Sequence, residues 1–191
     1  MHASRPLPDR DAGTPAALRL RLASEADTRA LGAALAEILG PGDCVLLSGG
    51  LGAGKSALAR AIVRAALRDP EREVPSPSYT LVNVHEGPRG EIWHADLYRL
   101  AAPEEAAELG LDEAAHALLL VEWPDRLGEA LPPRRLEIAL EAVSEEARDA
   151  SIHRSVGILD GYLDEVADET GVPAARTALV GFSQGTMMSL H

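Results

Sequence analysis

The chain has 191 residues, 46% of them hydrophobic and 25% charged, enough for one full domain and a small appendage. Its net charge is −12, and residues 101–191 hold 18 acidic against six basic side chains, whereas residues 1–100 are balanced. That balance, with six aromatic residues, makes the chain a poor candidate for gripping a nucleic-acid backbone by itself.

The acidic half reads first as a solvated surface, and second as a docking face for a basic partner. No apolar run reaches the length of a membrane span, and the N-terminus lacks a secretory h-region. Cys44 is the single cysteine, which excludes a disulfide framework and makes the cytoplasm the expected compartment.

Residues 1–17 are rich in Pro, Arg, Asp and Gly without periodicity and read as a disordered arm. Leu18 to Leu22 alternates Leu with Arg, a half-exposed strand. Ser24 reads as a helix N-cap with Asp27 as its shortened capping-box partner. Leu31, Ala34, Leu35, Ile38 and Leu39 follow at helical spacing, and Gly40-Pro41-Gly42-Asp43 ends that helix. Cys44 to Leu47 is an apolar run suited to a buried parallel strand.

Ser48-Gly49-Gly50-Leu51-Gly52-Ala53-Gly54-Lys55-Ser56 then fits G-x-x-x-x-G-K-[ST], with a helical pattern over Ala57–Leu67 behind it. Strand, glycine-rich turn and helix are the context this phosphate-binding pattern requires. Glycines let backbone N–H groups turn inward, and the helix N-terminus adds partial positive charge. Lys55 is expected to reach the β- and γ-phosphates and the Ser56 hydroxyl to bind Mg²⁺. Lys55 is also the only lysine; the other 17 basic residues are arginines. A compact ammonium thus stands where phosphate needs one.

Asp69 to Ser78 reads as a proline-rich loop, Tyr79–His85 and Glu91–Ala95 as strands, and 86–90 as the hairpin loop between them. Short helices are expected over Pro103–Leu109 and Leu111–His116, a buried strand over Ala117–Val121, and a loop with a helical turn over Trp123–Leu131. Arg135–Ala142 reads as the last strand, and Ser144–Ala150 as a polar linker. A phosphate loop needs an acid to complete the metal site and a group to place the attacking water. Asp96 and Glu122 each close a strand, where a parallel sheet presents its ligand crevice. His94 shares a strand face with Asp96 and reads as a satisfied core histidine rather than a catalytic one; Tyr98 and Trp123 read as core or rim aromatics. His85 and His94 show no zinc-ligand spacing.

The blocks GGLGAGKS, SPSYTLVNVH, HADLYRL and VEWPDRL, in that order, resemble the TsaE (YjeE) family over about residues 18–143. That resemblance implies an α/β fold, a P-loop NTPase-like mixed sheet flanked by helices. It implies a cytoplasmic, Mg²⁺-dependent ATPase of tRNA threonylcarbamoyladenosine synthesis. Its partners would be a TsaD-like transferase and a TsaB-like subunit, with tRNA met only through the complex.

By position, the resemblance makes Gly49, Gly50, Gly52, Ala53, Gly54, Lys55, Ser56 and Ala57 the nucleotide-binding loop. Asp96 becomes the Walker-B-like acid, and Glu122 an acid that serves as metal ligand or base. Trp123 is a neighbour of the nucleotide, and Ser76 and Ser78 lie in a switch-like loop. The metal set is Ser56, Asp96 and Glu122, and the catalytic set Lys55, Asp96 and Glu122. The family usually has Thr where Ser78 and Ala57 stand, so Ala57 lacks a hydroxyl.

A nucleotide-dependent interaction module with little turnover would need the same pocket. A GTPase would need a second lysine in N-K-x-D, and no Arg-rich lid marks a small-molecule kinase. Residues 151–191 form a short C-terminal appendage. Gly181-Phe182-Ser183-Gln184-Gly185 there follows an apolar stretch as a nucleophile elbow does, and LVGFSQGTMMSLH resembles phospholipase/carboxylesterase-type α/β-hydrolases. The one histidine after Ser183 is His191, and no acid follows, so an inert hydrolase-like fragment is the expectation.

Overall fold

The computed structural model describes residues 18–128, 131, 132, 134–143 and 147–155. The expected arm, the elbow at Ser183 and the rest of the appendage beyond Ser155 lie outside the described residues. Seven strands form one mixed sheet in the order β1-β7-β6-β2-β5-β4-β3. They are β1 Leu18–Leu22, β2 Cys44–Gly49, β3 Val82–Gly87, β4 Gly90–Asp96, β5 Leu118–Glu122, β6 Arg135–Ala142 and β7 Arg148–Ser155. Strands β6, β2, β5 and β4 are mutually parallel, while β3, β7 and β1 add antiparallel edges.

The parallel strands explain the continuous apolar runs of β2 and β5, because both of their faces are covered. On one face, helices α1 (Glu25–Ile38) and α2 (Lys55–Ala66) seal Val45, Leu47, Leu118, Leu120, Leu136 and Ile138. On the other, the short helix α3 (Pro103–Ala107) and 3₁₀ turns at Glu113–His116 and Pro124–Leu127 cover Cys44, Leu46, Leu119 and Val121. Burial pushes the Cys44 thiol up to about 12.

The capping box at Ser24 forms as expected: its hydroxyl accepts from the Asp27 amide, and the Asp27 carboxylate accepts from the Ser24 amide. Helix α1 lies close on α2 because position 32 is glycine. A Cβ there would stand 2.5 Å from the Ala61 Cβ.

Two expectations change. Strand β3 begins at Val82, not Tyr79, because Leu81 turns back to donate its amide to the Pro77 carbonyl and adopts φ 65°. The linker expected over 144–150 is the second correction. Arg148–Ser155 is a strand paired along β6 on one side and β1 on the other, so the sheet runs on into residues assigned to the appendage. Its apolar content is two inward residues, Ala150 and Ile152, too few for a period-of-two signal among charged neighbours. Pairing with β6, not side-chain pattern, makes it a strand.

Because β7 is the one neighbour of β1 in the sheet, a chain ended after Ala142 should lose both strands and its cooperative unfolding transition. A chain ended after Ser155 should keep it. Circular dichroism melts of the two truncations test this.

Candidate functional site

The parallel register brings the carboxyl ends of three strands together. Leu47 of β2 stands beside Glu122 of β5, and Glu122 beside Asp96 of β4. Side chains alternate along a strand, so His94, Asp96, Leu120 and Glu122 all face the side covered by α1 and α2. Helix α2 starts there, directly after the glycine-rich turn. Of its first residues, Ser56 meets Glu122 directly, and Lys55 lies within the field of both acids.

The polar contacts are specific. The Ser56 hydroxyl donates to Glu122 Oε2 at 2.7 Å. Glu122 Oε1 lies 2.9 Å from His94 Nε2. On Asp96, Oδ2 accepts the Ser78 hydroxyl at 2.7 Å and Oδ1 accepts the Tyr98 amide at 3.0 Å. The Ser76 and Ser78 hydroxyls are 2.8 Å apart, which places the proline-rich loop over the site. Asp96 and Glu122 are 4% and 1% exposed, so both carboxylates are kept by hydrogen bonds rather than by water.

Lys55 folds back onto the turn. Its Nζ donates to the Gly49 and Gly50 carbonyls, 2.8 Å each, and stands 3.7 Å from the Trp123 ring centroid. Burial lowers the Lys55 pKa, while the charges of Glu122 and Asp96 oppose that shift. Trp123 holds φ 60°, unusual for a bulky residue, and its amide is tied to the Leu47 carbonyl. Its half-buried ring also meets Tyr98, centroids 4.9 Å apart. Trp123 is thus set against the lysine of the turn.

The turn itself shows why its glycines are needed. At Gly49 a Cβ would collide with the Leu140 carbonyl of β6, and φ is 134°. Gly52 has φ 74°, and Gly54, the N-cap of α2, has φ 101°. Ala53 points its methyl into the core, whereas Gly50 and Gly52 border open space. Ala57 is half-buried in the first turn of α2.

Sequence reasoning missed two residues here. Arg148 of β7 brings its Nε within 2.6 Å of where a Gly54 Cβ would stand. A basic residue in a stretch taken for a linker gave no sign of this. His94 is the other: its one hydrogen bond is the contact to Glu122, and its Nδ1 has no partner among the described residues. Its face alternation with Asp96 was the available signal.

Among the described residues no group of three or more His, Cys, Asp and Glu side chains is arranged to hold a metal. What converges is one hydroxyl and two carboxylates of hard-oxygen type, beside backbone amides at a helix N-terminus. That set suits a cation that keeps several waters and takes phosphate oxygens as further ligands. Gly54→Ala should lose about 1–3 kcal/mol in denaturant unfolding, from the left-handed backbone and the Arg148 side chain. Gly50→Ala, with open space around it, should stay within about 0.5 kcal/mol.

The family model described as threonylcarbamoyl adenosine biosynthesis protein TsaE matches residues 22–150. A model for phospholipase/carboxylesterase matches residues 138–191, overlapping the first across β6 and the start of β7. The tRNA threonylcarbamoyladenosine biosynthesis protein TsaE of Rickettsia conorii is 39% identical over 69% of this chain and 75% of its own length. The protein of that name in Rickettsia prowazekii is 34% identical over 73% and 96%. In Mycobacterium leprae it is 42% identical over 61% and 78%. Among solved structures, Bacillus subtilis YdiB superposes with a TM-score of 0.64 at 27% identity, covering 84% of this chain and 99% of that one. With its glycine-rich turn, its two strand-end acids and most of its sheet inside the matched residues, this chain belongs to the TsaE family of threonylcarbamoyladenosine biosynthesis.

Proposed function

We propose that this chain is the Mg²⁺-dependent ATPase subunit of tRNA threonylcarbamoyladenosine synthesis, acting in the cytoplasm with a TsaD-like transferase and a TsaB-like subunit and meeting tRNA only through them. The observation that carries the reading is the convergence of Lys55, Ser56, Asp96 and Glu122 at the carboxyl ends of parallel strands.

The turn Gly49–Lys55 would cradle the phosphates of ATP with its amides, and Lys55 would leave the Gly49 and Gly50 carbonyls to pair with phosphate oxygens. Its buried, partly desolvated ammonium gains most when an anion arrives. Ser56, Asp96 and Glu122 would hold Mg²⁺, which when bound neutralises charge on the phosphates. Asp96 is held by Ser78 and the Tyr98 amide, so its orientation is set before ligand arrives. Glu122 faces the cradle beside Ser56 and is the residue to orient the attacking water. Trp123, above Lys55, would close the side of the cradle.

Lys55→Ala should abolish tight ATP binding in calorimetry, since it removes the cationic side chain of the cradle; retained affinity would refute the phosphate assignment. Asp96→Asn should weaken Mg²⁺-dependent binding by about tenfold or more, an amide being a poorer ligand for a hard cation. Glu122→Gln should spare Mg²⁺-free nucleotide binding, raise the Mg²⁺ requirement and lower hydrolysis by about 10²–10⁴-fold.

Turnover by the isolated chain should be slow, and the TsaD-like and TsaB-like proteins should raise it. Equal rates with and without them, in a steady-state phosphate-release assay, would refute the partner dependence. Nucleotide binding with no turnover even in the complex would instead favour a module that uses ATP only to control its partners.

A further inference from the structure

Among the described residues, His94 is the most deeply buried polar side chain that the proposed chemistry does not use. It sits on β4 with no exposed surface. Its Nε2 is 2.9 Å from Glu122 Oε1, and its Nδ1 has no partner among the described residues. A carboxylate only accepts hydrogen bonds, so Nε2 carries the hydrogen and donates it. The Nδ1 side of the ring faces the interior, where no polar atom of the described residues meets it. An apolar side chain would fill that space without an unmet polar atom. What the imidazole supplies instead is a donor behind Glu122.

The consequence lies on the far side of the carboxylate. With Oε1 held from the interior, Oε2 is the oxygen presented at Ser56, where it takes the 2.7 Å hydrogen bond. Ser56, Glu122 and His94 thus form one line from the first turn of α2 into the sheet. The register sets it: Glu122 neighbours Asp96 across the β4–β5 ladder, and His94 lies two residues back on the same face. Without the Nε2 donor, Oε1 would be a buried acceptor with nothing to meet it, and Glu122 would turn toward the donors of the cradle.

We propose that His94 is a positioning residue for ATP hydrolysis: its Nε2–H fixes Glu122 from behind, so that Oε2 faces Ser56 and the phosphate cradle. This rests on the ATPase reading above. The histidine touches neither phosphate nor metal in this scheme and acts through Glu122 alone.

The test uses the full-length chain assembled with its TsaD-like and TsaB-like partners, and three variants. His94→Phe fills the volume without a donor. His94→Gln can place an amide NH₂ near the Nε2 position. His94→Asn offers the same amide on a shorter arm that does not reach Glu122. For each variant, ADP affinity without Mg²⁺ is measured by calorimetry, and kcat, KM for ATP and the half-saturating Mg²⁺ concentration by phosphate release.

The expected result for His94→Phe and His94→Asn is a kcat lowered by about 10- to 100-fold with a raised Mg²⁺ requirement, the usual effect of losing a group that supports a ligand side chain. ADP affinity should stay within about threefold in both, since the amide cradle that holds the phosphates is untouched. His94→Gln should recover most of kcat.

Wild-type kcat in His94→Phe, equal losses in the Gln and Asn variants, or a parallel fall in ADP affinity would overturn the proposal. Loss of folding in all three would also overturn it, making His94 a structural residue only. A failure of the ATPase reading looks different: the wild-type complex shows no turnover, and this inference falls with it.

Discussion

Everything at the site depends on the parallel pairing of β2, β5 and β4. In a parallel ladder the strands end on the same side, so the glycine-rich turn after β2, Glu122 at the end of β5 and Asp96 at the end of β4 share one edge. The register is fixed by burial on both faces. Slipping β5 by one residue would send Leu118, Leu120 and Glu122 to the α3 side and Leu119 and Val121 beneath α1 and α2. The acid could then no longer meet Ser56. The core and the site are thus set by the same constraint.

The site concentrates what folding ordinarily avoids. Lys55, His94, Asp96 and Glu122 are all buried, within a few residues of one another in space. Burying charges is unfavourable unless they are paired and hydrogen-bonded, and here the pairing is internal. Glu122 is held by Ser56 and His94, Asp96 by Ser78 and the Tyr98 amide, and Lys55 by two carbonyls and an aromatic face. Strained backbone gathers nearby as well: Leu81 and Trp123 both hold positive φ. Such strain persists where surrounding packing over-determines it, and two well-packed layers provide that here.

The edge of the sheet beyond β6 joins the two family resemblances. Strand β7 lies inside the stretch matched by the TsaE model up to residue 150 and inside the hydrolase-like match from residue 138 onward. Its inward residues Ala150 and Ile152 pack in the same core as α1 and α2, and Arg148 reaches the turn at Gly54. As far as Ser155, then, the hydrolase-like match coincides with strands of the P-loop sheet.

The sequence by itself determined the elements whose signals are local. The glycine-rich turn between an apolar run and an amphipathic helix, the Ser24–Asp27 capping box and the double-sided apolar strands β2 and β5 all carry their causes within a few residues. Asp96 and Glu122 could be placed at strand ends for the same reason. Only the tertiary structure decided what lies far apart in the chain. Strand β7 exists because β6 and β1 offer it hydrogen bonds on both sides, not because RDASIHRS has a strand pattern. Tyr79–Leu81 turn instead of extending because Leu81 bonds back to Pro77 and so sets Ser78 over Asp96. His94 looked like a self-sufficient core residue because its partner lies 28 residues away, and a hydrogen bond across a sheet leaves no periodicity in either strand.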